Sequence, residues 1–426
     1  MFRWDKRVAS RDVLLATFSF AAYDLWMLLF PLQGLALLST AGPRAIAFWL
    51  IPHALGLCAI AFFLYRFHFE TISRAGTLVT ALATMAFPFL PSHHKVLLTL
   101  LGLSSAFLFV RVAGLLAYTK TPWKNASLAL IIANILLIIF SLLKPPRHFT
   151  FSFLGLSLFL AFLIKLPKQN RQADINYLKK YLPFIFSFYL LISLLYIFSM
   201  PVYIKQAYLE GIEALFYILA IIVAIKLIEK DKNLILSLGV AWGILAISFF
   251  HDPKKWAFNC SMFSIQTAAG FVDVFCLYLF LNSANILRSF ATGAATIFCA
   301  ITVNLPLIYL EKWSSFILVL GNIILGLSLL IFYYLQRRSR QKTKIILVRK
   351  ENNQKDAQIE EDIQKLKKKF SQREWDVFER IMQKKSIKLI AKELEISESS
   401  VKTYMQRIYK KASVKNKEQL IKKFSA

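Results

Sequence analysis

Residues 371–424 read SQREWDVFERIMQKKSIKLIAKELEISESSVKTYMQRIYKKASVKNKEQLIKKF. Apolar residues recur there at the three- and four-residue spacing of a helix face, in four short segments. Ser371 and Glu374 have the spacing of a capping box, in which each side chain bonds the other residue's backbone N–H. The second helix is predicted to begin at about Ser386, and Ser397 is placed to cap the third. The stretch therefore predicts a compact unit of four helices.

The second and third helices, joined by a short turn, have the plan of a helix-turn-helix. In that plan the later helix enters the major groove of DNA, because only this groove admits a helix and displays a full base code. The candidates for contacts to base edges or the adjacent backbone are Glu398, Ser399, Ser400, Lys402, Thr403 and Gln406. The candidates for phosphate contacts, which set affinity and register, are Arg407, Lys410, Lys411, Lys415 and Lys417.

Residues 370–426 resemble the LuxR/GerE-type helix-turn-helix of bacterial transcription regulators. The sequence departs from that family at Lys385, where Gly is usual, at Leu389, where Glu is usual, and at Tyr404, where His is usual. The resemblance implies a DNA-binding domain with double-stranded DNA as its partner and a homodimer as the form on DNA. The matching segments are SQRE (371–374), IAKEL (390–394), IS (396–397) and SVKTYMQRIYKKASVKNKEQLI (400–421).

The remainder of the chain has the composition of a membrane protein. Of its 426 residues 57% are hydrophobic, more than the roughly 45–50% of soluble domains, and the mean hydropathy is +0.54. A spanning helix needs ~20 mostly apolar residues. Such runs are predicted at 13–38, 45–65, 75–91, 95–118, 126–143, 149–165, 181–202, 208–227, 234–250, 257–281, 289–310 and 314–335.

The loops between these twelve runs carry unequal charge. A basic segment, 165–181, separates the runs into two groups of six. If the N-terminus is cytoplasmic, the inside loops hold more Lys and Arg than the outside loops, as the positive-inside rule requires. This predicts a multi-pass protein of the bacterial inner (cytoplasmic) membrane, with the lipid bilayer as a partner and both termini in the cytoplasm.

This six-plus-six plan resembles the major facilitator superfamily over residues 10–335, which implies an all-α, polytopic helical bundle. Two polar residues at membrane depth, Arg111 in the fourth run and Asp273 in the tenth, occupy equivalent runs of the two halves. Because such residues are costly in lipid and usually face a bundle interior, we expect both to line a central ligand cavity. The alternative is a structural pair or hydrogen bonds between helices.

Between the two domains, residues 336–369 form a basic cytoplasmic linker. Its first residues, QRRSRQKTK, suit anionic headgroups. Ile359, Ile363 and Leu366 predict a short helix in its second half, and pairing between two copies is an open alternative. Neither a metal site nor a cofactor is expected, because the four cysteines lie in apolar runs and have no metal-ligand spacing.

The three segments, 1–335, 336–369 and 370–426, together predict a membrane-bound one-component transcription regulator rather than an enzyme. Its membrane domain would sense an unknown small molecule or a membrane state. One alternative is a facilitator-type transporter with an autoregulatory DNA-binding tail. Another is a signalling membrane protein whose tail binds a different protein.

Overall fold

The computed structural model describes residues 10–32, 37, 45–167, 175–306 and 314–424. Side chains at 10, 314–315, 332 and 335–357 are outside that description. Several basic residues behind the charge asymmetry also fall outside it, namely Arg3, Lys6, Arg7, Arg44, Lys168, Arg171 and Lys312. The chain divides into two compact units, Met1–Phe332 and Tyr333–Ala426.

The described residues form α-helices and short 3-10 turns, without strands, which confirms the all-α fold class. Twelve helices cover the predicted membrane runs among these residues, and each run overlaps one of them. Their bounds are α1 Ser10–Leu29, α2 Ile46–Phe62, α3 Phe69–Ala86, α4 His94–Leu115, α5 Pro122–Leu143, α6 Arg147–Leu158, α7 Leu182–Gln206, α8 Glu213–Leu227, α9 Lys232–Phe250, α10 Lys255–Leu281, α11 Ile286–Val303 and α12 Ser314–Lys369.

Length and apolarity alone identify eight spans in the described part of the chain, in α1, α3, α4, α5, α7, α9, α10 and α11. Shorter apolar helices lie at Ile46–Phe62, Arg147–Phe162 and Phe316–Ile331. The remaining helix, α8, has 15 residues. The eight spans are enough to make the first unit a membrane domain.

Two glycines occupy matching places in the two six-helix halves. A Cβ on Gly102 of α4 would lie 2.3 Å from the carbonyl oxygen of Trp49 on α2, and a Cβ on Gly270 of α10 would lie 2.7 Å from that of Tyr217 on α8. Both distances are too short for a real side chain, so each glycine permits close helix packing. The contact of α4 with α2 is therefore repeated by that of α10 with α8.

The last membrane run and the predicted linker form one continuous helix, α12, of 56 residues. The expectation of a short helix in the second half of the linker was therefore too modest. The reason is local, because neither Gly nor Pro occurs after Gly326 to interrupt the helix. Leu366 is buried and Ile363 is partly buried in the core of the C-terminal helices, so both pack within their own chain.

Four short helices follow: α13 Gln372–Met382, α14 Ile387–Leu394, α15 Glu398–Ala412 and α16 Lys417–Phe424. The capping box is confirmed, since Ser371 accepts from the N–H of Glu374 and its own N–H donates to Glu374. Ser397 caps α15 as expected, and Ser386, where the second helix was expected to begin, caps α14. The buried core comprises Leu366, Val377, Phe378, Ile381, Ile390, Ala391, Leu394, Val401, Met405, Ile408, Ala412, Leu420 and Phe424.

Three of these helices end on left-handed residues other than glycine. They are Lys384 after α13, with φ of 61°, Glu395 after α14, with φ of 54°, and Ser413 after α15, with φ of 55°. The left-handed residue after α13 is Lys384, whereas the family usually has Gly at the next position, 385. Each such residue costs roughly 1–2 kcal/mol relative to glycine.

Candidate functional site

One face of α15 is free to meet DNA. Val401, Met405 and Ile408 turn inward to the core, which leaves the opposite face in solvent. The exposed residues on that face are Glu398, Ser399, Lys402, Thr403, Gln406, Arg407 and Lys410. In the described part of the chain, the side chains of Lys402, Gln406 and Lys410 have no hydrogen-bond partner, so they are available to a ligand.

Other predicted DNA contacts are engaged within the domain. Lys411 donates to the carboxylate of Glu374 at 2.6 Å, and Lys417 donates to the carbonyl oxygen of Lys385 at 2.6 Å. Ser400 is partly buried and bonds the hydroxyl of Ser397. Lys415 remains exposed. Lys411 and Lys417 thus hold the helices together, a role that sequence reasoning did not assign to them.

The Glu374 carboxyl joins the first and third of the short helices. It lies in α13 and is 3% exposed. Its burial would raise its pKa, but the hydrogen bonds from Lys411 and the backbone of Ser371 outweigh this, so the pKa lies below its usual range. The carboxylate is therefore charged at neutral pH and contributes to the stability of the domain.

A cavity of about 390 Å³ lies between the two halves of the membrane domain. Its walls come from α1, α2, α4 and α5 on one side and from α7, α8, α10 and α11 on the other. The volume is within the range of ligand pockets, ~300–1,000 Å³. Asp24, Asn134, Gln266 and Asp273 are among the polar residues that line it.

Two tyrosines hold the Asp273 carboxylate in this cavity. Tyr189 of α7 donates to its Oδ1, and Tyr217 of α8 donates to its Oδ2 at 2.6 Å. Neither tyrosine was singled out from the sequence, because both lie in apolar runs. On the opposite wall, Asp24 is 7% exposed, and its Oδ2 has no hydrogen-bond partner among the described residues.

Arg111 lies away from the cavity. It is fully buried and forms an ion pair of 3.1 Å with Glu70 of α3. Its Nε donates to the carbonyl oxygen of Ala161 at 2.9 Å, and another nitrogen donates to Ser73 at 3.2 Å. The structure therefore does not bring Arg111 and Asp273 together, and the Arg111 contacts match the structural alternative.

The two glycine contacts explain this separation. Asp273 follows Gly270 by three residues, as Ser105 follows Gly102, so Ser105 is its counterpart. Trp49 donates to the Ser105 hydroxyl at 3.2 Å, as Tyr217 donates to Asp273. Arg111 is six residues beyond Ser105, or about 9 Å further along the helix at 1.5 Å per residue. Arg111 and Asp273 therefore lie on equivalent helices but at different positions along them.

The C-terminal helices match a known protein family. Residues 368–424 match the family described as "Bacterial regulatory proteins, luxR family". The C-terminal domain is therefore a luxR-type helix-turn-helix. None of the curated proteins compared with the chain is significantly similar to it.

The membrane domain is similar in fold to transporters. A crystal structure of a bacterial homologue of the iron transporter ferroportin, in an outward-facing state with soaked iron, has a TM-score of 0.55 and 12% identity, and the match covers 77% of this chain and 99% of that one. A mutant of the nucleoside transporter NupG has a TM-score of 0.50 and 14% identity, with 76% and 99% covered. These likenesses show a transporter-like fold joined to a DNA-binding domain.

Proposed function

We propose that this protein is a membrane-bound one-component transcription regulator. Its luxR-type domain binds double-stranded DNA through α15, and its membrane domain senses a small molecule in the cavity between the halves. The observation that carries the proposal is the presence, on one chain, of an exposed basic recognition face and a cavity lined by carboxylates. The families that match point to a regulator and a transporter-like fold, not to an enzyme.

A ligand can change the activity of such a protein only by binding one conformation better than another. The cavity suits such a role, because its walls come from both halves and a movement of one half against the other would change its shape. A ligand held between them would therefore shift the balance between two arrangements of the halves. The helix α12 is the last helix of the second half and runs on to Lys369, so it is the covalent route to the DNA-binding domain.

Filling the cavity tests this mechanism. Ala269 lines the cavity on α10, and Ala241 of α9 is exposed. We expect Ala269→Trp to abolish the change in DNA occupancy that an inducing condition causes in cells, whereas Ala241→Trp leaves it intact. An unchanged response in Ala269→Trp would contradict sensing through the cavity.

We also propose a cytoplasmic location for both termini, in the inner membrane of a bacterium, and a homodimer on DNA. The charge asymmetry of the loops supports the orientation, and the need of the DNA-binding domain for DNA supports it independently. A fluorescent protein that folds only in the cytoplasm, fused after Ala426, should be fluorescent. A dark fusion at normal expression would place the domain on the wrong side.

A transporter with an autoregulatory tail is the second candidate. The similarity in fold to two transporters, each covered over 99% of its length, favours it. Uptake of iron or of a nucleoside into vesicles, the cargoes in the names of those proteins, would support this function if Asp273→Asn abolished it. Vesicles that take up neither would count against these two cargoes.

A further inference from the structure

The charged residues that line the cavity are all acidic among those the structure describes. Four carboxylates line it, from Asp24, Glu210, Glu213 and Asp273, while its described lining contains no Lys, Arg or His. The whole chain, in contrast, carries a formal net charge of +28. A cavity with acidic residues alone in a strongly basic protein favours ligands of positive charge.

Two of the four carboxylates already have partners within the protein. Glu210 forms an ion pair of 2.7 Å with Lys144, and Glu213 accepts a hydrogen bond of 2.8 Å from Tyr203. Both glutamates lie at or next to the connection between α7 and α8. The other two carboxylates, on α1 and α10, remain for a ligand.

Asp24 is the residue that most directly requires a partner. It is 93% buried, its Oδ2 has no hydrogen-bond partner among the described residues, and it lines the cavity. A buried polar atom without a partner destabilises the fold, because it has lost its hydrogen bonds to water. A donor or a positive charge in the cavity would remove that destabilisation.

The Asp273 side chain is held in place as a hydrogen-bond acceptor. Both of its oxygens accept a hydrogen bond, one from the hydroxyl of Tyr189 and one from the hydroxyl of Tyr217. A carboxylate has about four acceptor positions, so two remain after these bonds. The tyrosines therefore orient the carboxylate without exhausting its capacity.

Aromatic rings form part of the apolar wall of the cavity. Phe109 packs against Phe290 with ring centroids 4.8 Å apart, and Phe20 lies 6.2 Å from Phe290. Phe298 lies 6.0 Å from Phe109. Such rings pack against apolar groups and attract cations at their faces.

We infer that the cavity binds an apolar organic cation, with its charge beside Asp24 and Asp273 and its apolar part among the phenylalanines. The inference rests on the proposed function and names the class of its ligand. The described residues contain no group of three or more His, Cys, Asp or Glu that could hold a metal ion. An organic cation therefore suits these walls better than a bare metal ion.

Two ions of the same shape and opposite charge provide the test. Binding of tritiated tetraphenylphosphonium and of tetraphenylborate is measured on the full chain in lipid nanodiscs. We expect saturable binding of the cation and none of the anion. Asp24→Asn and Asp273→Asn should each raise the Kd of the cation at least about tenfold, while Asp252→Asn, which removes a carboxylate outside the cavity, should leave it unchanged.

Three results would overturn the inference: no saturable binding of the cation, equal binding of the anion, or a Kd unchanged in both cavity variants. If Asp273→Asn does not fold, Asp24→Asn decides the matter, because it replaces a carboxylate oxygen that has no hydrogen-bond partner among the described residues. DNA affinity in the same nanodiscs separates the two proposals. Cation binding without an effect on DNA affinity supports the ligand class and contradicts the regulator.

Discussion

The Sγ atoms of Cys58 on α2 and Cys299 on α11 lie 3.7 Å apart, although 241 residues separate them in the chain. Both cysteines are free thiols. They belong to different six-helix halves, so a bond between them would fix one half to the other. This proximity could not be predicted from the sequence, since each cysteine lies in an apolar run.

Mild oxidation should therefore join the two halves. With copper phenanthroline as oxidant, the two thiols lose two protons and two electrons and form a disulfide. After cleavage at a protease site inserted in segment 168–174, we expect the halves to migrate together without reductant and separately with it. Cys58→Ser is the control. Separate migration in both cases would contradict the packing of α2 on α11.

Replacing Lys402 should weaken DNA binding. A fragment of residues 358–426 contains the described C-terminal core and can be used for gel shifts. If the Lys402 side chain contacts a base, we expect Lys402→Ala to lose about 1–3 kcal/mol of binding free energy. If it contacts a phosphate, the slope of log K against the logarithm of the salt concentration should become about 0.9 less steep. Lys422→Ala on α16 is the control. Equal DNA affinities of the two variants would contradict the assignment of α15 as the recognition helix.

Replacing Lys411 should reduce the stability of the C-terminal domain. Lys411→Ala removes a hydrogen bond to the buried Glu374 carboxylate, which is worth about 1.5–3 kcal/mol for a charged group. Because the lysine side chain is 38% exposed, we expect the lower end. Urea unfolding of the fragment measures the loss. Lys410→Ala, which has no partner to lose, should retain its stability.

The same carboxyl predicts a pH dependence. Its pKa is lowered in the folded domain, so its contribution to stability is present above the unfolded value of about 4.3 and is lost as the pH falls through the folded value. As the pH is lowered below about 4.3, the urea midpoint of the fragment should therefore decrease more steeply than that of Lys411→Ala. Parallel curves would mean that the ion pair does not form.

Glycine at residue 395 should stabilise the domain. Glu395 has a φ of 54°, which glycine adopts without the steric cost of a Cβ. We expect Glu395→Gly to add about 1 kcal/mol, or about 4–8 °C in the Tm of a domain of this size. Glu395→Ala removes the same side chain but keeps the Cβ, so it should show no such gain.

Arg111 should prove to be structural. Arg111→Ala leaves Glu70 without its buried partner, a change that costs about 3–5 kcal/mol in a fully buried pair and less here, since Glu70 is 37% exposed. We expect a lower melting temperature in detergent for Arg111→Ala and an intermediate one for Arg111→Lys. A normal melting temperature together with a lost ligand response would place Arg111 in the sensing site after all.

The helix-turn-helix could be predicted almost residue by residue because its determinants are local. Ser371, Ser386 and Ser397 mark helix starts through bonds to residues three positions away. The continuity of α12 was also local, and the absence of Gly and Pro could have indicated it. Sequence reasoning instead assigned Ile363 and Leu366 to a linker, because only the folded core shows their partners.

The cavity could be predicted only in part. The polarity of Asp273 in an apolar run indicated a site. The depth of Asp273 in the membrane relative to Arg111, however, depends on how the two halves superimpose. The helix contacts at Gly102 and Gly270 determine that superposition. Tyr189, Tyr217 and the cysteine pair gave no signal. Helices that are apolar on every side have no period from which an inward face can be deduced.

Genome-wide mapping of DNA crosslinked to the full-length protein, isolated with the membrane fraction, tests the central claim most directly. We predict discrete enriched sites for the wild type, their loss in Lys402→Ala, and a changed occupancy under an inducing condition that Ala269→Trp no longer shows. The same background of DNA in the wild type and in Lys402→Ala would contradict a DNA-binding regulator at the membrane.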